Sequence, residues 1–161
     1  MFEQTYKSLL AQLSEMPRFL ENALRGISRD ILLRQPEQDR SPLLEHLWHI
    51  RDCESDLYIA RIHRVLREQE PTLSPVDVGS WVEDRKYFSR EGDAAIHQFT
   101  QLRASLVSEL QDMGEENLAR IGYRVDGTQF NILGLVEQVA DHDRDHRWRI
   151  AAILRSYLVS T

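Results

Sequence analysis

Apolar positions fall at helical spacing in four long stretches of the chain, and that rhythm predicts four amphipathic helices. In the first, roughly Phe2 to Leu24, Tyr6, Leu9, Leu10, Leu13, Phe19, Leu20 and Ala23 form the stripe, and Gly26 is a stop. Pro17 sits inside that run, where it should kink or interrupt the helix. The second helix starts with Ser41 as the cap and Pro42 at the first helical position, runs to about Gln69, and ends before Pro71. Pro71 to Gly79 then reads as a loop, followed by a short aromatic segment from Trp81 to Phe88. The third helix spans about Gly92 to Met113, with an extra turn expected over Glu115 to Ala119. Gly122 to Gln129 contains Asp126-Gly127, a tight-turn signal for a small hairpin or an ordered loop. The fourth helix covers about Asn131 to Tyr157.

Four helices of this length predict an all-α four-helix bundle in one domain, residues 1–161. The link between the second and third helices is too long for the simplest up-and-down arrangement.

Composition narrows the function classes. With 20 basic and 26 acidic residues the net charge is -6, and the arginines are scattered among acids rather than gathered into a stripe. Nucleic acid is therefore not an expected partner. No apolar run approaches the ~20 residues that span a bilayer. The first residues lack a basic segment leading into an apolar stretch, so no signal peptide and a cytoplasmic location are expected. The one cysteine, Cys53, fits a reducing compartment and reads as core filling.

The histidines carry the candidate chemistry. His142 and His146 stand four apart, which places both imidazoles on one face of the fourth helix. They interrupt the inward stripe Ile132, Leu135, Val139, Ile150, Ile153, Tyr157 from within. Two inward-facing imidazoles need partners, because an unsatisfied buried polar group costs ~1 to 3 kcal/mol. A shared metal ion would satisfy both; so would ordinary core hydrogen bonds. On the second helix, His46, Ile50, Cys53, Leu57 and Ala60 project to one face, and His49 lies at its edge, about 60° from the middle. Periodicity prefers His46 or leaves the choice between His46 and His49 open. His63 lies ~20 Å further along the same helix, and His97 stands alone on the third.

The segments SPLLEHLWHIRDCE and DHDRDHRWRIAAIL resemble the second- and fourth-helix signatures of the DinB/YfiT-like superfamily. His49 matches the histidine that opens the first signature, and His142 and His146 match the H-x-x-x-H of the second. The segment WVEDRKYF and a third helix bearing an arginine such as Arg103 extend the likeness over nearly the whole chain. The resemblance implies a bundle in which His49, His142 and His146 bind one divalent transition metal, zinc, nickel or iron. Three protein ligands leave a coordination position open, the layout of a catalytic rather than a structural site.

That layout suits a thiol-dependent transferase, acting on a small molecule with a low-molecular-weight thiol, or a hydrolase. Asp52 and Glu54 are candidate general bases or supporting carboxylates. The alternative expectation is a non-catalytic metal-binding, stress-response or ligand-binding protein. Trp81, Tyr87 and Phe88 offer an apolar contact for a homodimer, or else pack against their own chain.

Overall fold

The computed structural model describes residues 2–37 and 39–159. Four long helical elements form the bundle. Helix α1 spans Phe2–Leu24; the second element is composite, with α3 (Leu43–Asp52), a π-helical segment (Cys53–Ile59) and α4 (Ala60–Arg67); α6 spans Gly92–Gln111 and α8 Ile132–Val159. The short helices α2 (Arg29–Leu33), α5 (Trp81–Asp84) and α7 (Glu115–Leu118) fill the connections, with a 3-10 turn at Tyr87–Ser89. Helix α1 packs on α6 and α8, and α3 packs on the same two. The first and second long elements are thus diagonal rather than adjacent, and residues 25–42, which carry α2, join them. No described helix is long and apolar enough to cross a membrane.

The predicted helices are present, and the differences have physical reasons. Helix α1 runs unbroken through Pro17. Met16 and Leu20 on either side are fully buried, so core packing holds the helix across the missing backbone hydrogen bond. Ser41 does not cap α3: its hydroxyl donates to Glu45 Oε1 at 2.6 Å, and Pro42 occupies the cap position. Thr72–Leu73 is a strand (β1) inside the expected loop, parallel to β2 (Ile121–Arg124), which turns at Asp126-Gly127 into antiparallel β3 (Gln129–Asn131). Gly127 has φ +83°, the left-handed conformation that a tight turn assigns to glycine. The small sheet ties the long connection to the entry of α8. Trp81 and Tyr87 are buried in their own chain, so the apolar contact offered for a dimer is spent internally, and only Phe88 of the three remains exposed.

The largest departure lies in the second long element. An ideal helix carries the inward face from His46 through Ile50 and Cys53 to Leu57 and Ala60. Beyond Cys53 the π segment widens the turn, and the inward positions become Tyr58, Ile62 and Val65, while Ala60 faces solvent. One widened turn rotates the second half of the element relative to the first. Ile62→Ala should therefore lower stability by about 2–5 kcal/mol in urea denaturation. Ala60→Ser should stay within about 0.5 kcal/mol of wild type; equal losses would place the inward face on the ideal-helix register.

Candidate metal centre

The π segment positions the site from below. Glu54, fully buried on it, accepts two hydrogen bonds from Arg103 of α6, Nε to Oε1 at 2.6 Å and Nη2 to Oε2 at 2.9 Å. Arg103 also donates from Nη1 to the Leu13 carbonyl of α1 at 2.8 Å. Nη1 and Nη2 reach both oxygens of Asp143 on α8, the latter at 3.1 Å. Burial opposes the guanidinium charge, but Glu54 and Asp143 outweigh it and raise the pKa of Arg103. Asp143 neighbours His142 in sequence, so this buried triad fixes the height and rotation of α8 where the histidines lie.

Asp52 is equally buried and equally engaged. It accepts from Arg51 and Arg85, each at 2.7 Å, and from the Tyr87 hydroxyl at 3.0 Å. Neither carboxylate named as a candidate general base is free, and neither is a surface group. Among the acids flanking the histidines, Asp141 pairs with Arg144 and Asp145 with Arg149 at the surface, and only Asp143 turns inward.

Above the triad the imidazoles converge. His49 Nε2 lies 3.3 Å from His142 Nε2. The His146 ring sits 5.0 Å from that of His49 and 4.4 Å from that of His142, centre to centre. His46 joins them from the same helix as His49: its Nδ1 lies 2.9 Å from His146 Nδ1. Cys53 also faces the cluster, with Sγ 3.5 Å from His49 Nε2. Among the described residues, His49, Cys53 and His142 offer donor atoms that all lie within 4.8 Å of one another. Tyr58, brought inward by the π turn, lies edge-to-face with His142, ring centres 5.4 Å apart. The structure thus brings the rings of His49, His142 and His146 together with His46 and Cys53, but the donor atoms grouped within 4.8 Å are those of His49, Cys53 and His142 and not of His146; His63 is paired to Glu109 and His97 is exposed on α6.

Burial sets the protonation states. It lowers the pKa of His46 and His49, lowers that of His146 further with His142 alongside, and takes His142 down to about 3. All four imidazoles are neutral at physiological pH and carry lone pairs. Burial, aided by Asp52, pushes the Cys53 thiol up to about 12, so the sulfur is protonated unless a cation replaces the proton. Neutral nitrogen donors in contact, with the neighbouring buried carboxylates consumed by arginines, fit zinc, nickel or iron better than calcium or magnesium. The cluster opens through His46, His49 and His146 onto a cavity of about 280 Å³, whose lining they share with Val78, Gly79 and Val82 of the long connection.

A four-helix bundle with a histidine cluster between its second and fourth long elements defines the class. Residues 12–150 match the profile of the DinB superfamily, and the chain belongs to that family. It is also similar to YfiT from Bacillus subtilis, described as "a probable metal-dependent hydrolase with an unusual four-helix bundle topology". That structure superposes with a TM-score of 0.87 over 96% of this chain and 88% of the other, at 17% identity. No curated protein sequence matches the chain. At this identity the similarity establishes the fold, which is the expected four-helix bundle.

Sequence reasoning missed the role of Glu54 and Asp143, whose partner Arg103 lies far away in the chain. The signal for it was three charged residues falling on inward faces of three different helices. Arg103→Met leaves two buried carboxylates without their counter-charge, and should destabilise the fold by about 3–5 kcal/mol in urea denaturation. A loss below about 1 kcal/mol would show that the triad does not hold the helices.

Proposed function

We propose that His49, His142 and His146 hold one divalent transition metal and that the protein is a metal-dependent enzyme acting on a small molecule. The observation that carries this reading is the opening of the cluster onto a cavity, with His49 and His146 in its wall. A purely structural site has no use for such access. The description of YfiT as a probable metal-dependent hydrolase supports the same class.

When bound, the metal would supply Lewis-acid activation of a water or of a low-molecular-weight thiol. The chain's own residues hold the rest of the arrangement. The Glu54–Arg103–Asp143 triad fixes the spacing of His49 and His142. Val78 and Val82 add apolar surface to the lining of the cavity beside His49 and His146. Asp52, held by Arg51, Arg85 and Tyr87, ties the long connection to α3 beside His49 and is not available to move a proton.

One observation favours a second reading. Cys53 Sγ stands against His49, and a thiolate there would complete a closed, non-catalytic centre. In that case the protein is a metal-binding or ligand-binding module without turnover.

Protein purified without added metal should carry about one equivalent by elemental analysis. The His142→Ala, His146→Ala double variant should carry none, and equal content in both would refute the ligand assignment. Metal-dependent hydrolysis of small esters or amides, or conjugation of an electrophile to a small thiol, should vanish with chelation and return with metal. Metal retention without turnover on any of these substrates would select the closed, non-catalytic reading.

A further inference from the structure

His46 is the histidine that the three-ligand reading leaves without a task. It is 4% exposed and lies on α3 one turn before the edge position of His49. Its two ring nitrogens meet two different neighbours. Nδ1 lies 2.9 Å from His146 Nδ1. Nε2 lies 3.4 Å from Asp39 Oδ2 but completes no hydrogen bond, an orphaned polar atom in the interior. Asp39 is itself held in place: its Oδ1 accepts the Ser41 backbone N–H at 3.1 Å, and Oδ2 stands 3.4 Å from Arg149 Nη1.

We propose that Asp39, His46 and His146 form a polar chain, the Asp39 carboxylate facing His46 Nε2 and His46 Nδ1 bonded to His146 Nδ1, in which His46 is a positioning residue that fixes the tautomer and orientation of His146 for metal binding. The inference rests on the metal reading above and deepens it.

The argument is one of proton placement. Two Nδ1 atoms at 2.9 Å must be one donor and one acceptor, since two lone pairs or two protons repel at that distance. A ring that gives one nitrogen to a cation keeps its proton on the other, so a ligand His146 whose Nδ1 faces His46 holds its proton there. If His46 were the donor, its proton would sit on Nδ1 and its Nε2 lone pair would face the Asp39 carboxylate, two electron-rich groups opposed in a buried site. His146 would then hold its proton on Nε2 and have no nitrogen free for a metal. In the reverse arrangement His46 carries its proton on Nε2, toward Asp39, and its Nδ1 accepts from His146 Nδ1–H. His146 Nε2 is then an open lone pair on the side of the ring away from His46. Only this second arrangement satisfies both the carboxylate and the cluster. A carboxylate that orients a ligand imidazole is a recurrent device; here a second imidazole is interposed between the two.

The chain also explains why His46 takes the centre of the inward face while His49 takes the edge. The residue in the middle of the face supports the helix α8 histidine, and the residue at the edge meets the other donors.

Two measurements test the proposal. In chelator-treated protein, long-range proton–nitrogen NMR of the imidazoles should find His146 protonated at Nδ1 and His46 at Nε2. The reverse pair of tautomers overturns the proposal, and this arm needs no metal. In competition with a chromogenic chelator for Zn2+, His46→Leu should weaken binding roughly 10- to 100-fold. His46→Gln should recover most of it, because the amide oxygen can accept from His146 Nδ1–H while the amide nitrogen faces Asp39. Undiminished affinity in His46→Leu refutes the positioning role. A His46→Gln variant as weak as His46→Leu also refutes it, because an imidazole that cannot be replaced by an amide is a ligand itself. Failure of wild type to bind Zn2+ or Ni2+ would defeat the metal reading, whereas the tautomers bear on the chain alone.

Discussion

One guanidinium organises this bundle. The Arg103 side chain has five N–H groups, and all of them find acceptors on other helices: Glu54 on the π segment, Asp143 on α8 and the Leu13 carbonyl on α1. A buried charge of this kind is tolerable only when every donor is satisfied, and it penalises any arrangement that leaves one unpaired. Hydrophobic burial alone would let four amphipathic helices slide and rotate against each other with little penalty. The triad removes that freedom where it matters, because Glu54 and Asp143 lie within a turn or two of His49 and next to His142.

The site is built on top of that constraint. Burial keeps the imidazoles neutral, the π segment turns Tyr58 toward them beside Cys53, and the long connection lines the cavity while Asp52 fastens it to α3. The same low-polarity surroundings that hold the histidines ready for a cation make them poor proton carriers. On the proposed reading the chemistry comes from a bound metal and from what reaches it through the cavity, rather than from acid–base exchange on these side chains.

Much of this was legible in the sequence, and the illegible parts share a cause. Helix positions, the inward place of His142 and His146, and the tight turn at Asp126-Gly127 follow from local pattern, since each depends on residues a few positions apart. His49 comes from the resemblance, while periodicity prefers His46 or leaves the choice open; the structure brings both to the cluster, His46 against His146 and His49 against His142. What pattern could not reveal depends on distant partners. The π turn after Asp52 leaves no signature in an apolar rhythm, so the face beyond Cys53 was drawn through Ala60 instead of Tyr58 and Ile62. Strand β1 exists because Tyr123 and Arg124 lie beside it, not because Thr72-Leu73 declares it. Cys53 was rightly read as buried, but its sulfur faces His49 rather than only the core.

The claim at the centre of the account is a metal held by three imidazoles with a position left open toward the cavity. X-ray absorption at the metal edge of protein loaded with one equivalent of nickel or zinc addresses it directly. The expected spectrum shows imidazole scattering from three histidines with light-atom neighbours completing the shell, and no sulfur. A sulfur shell at about 2.3 Å would instead put Cys53 on the metal, close the site and contradict the account.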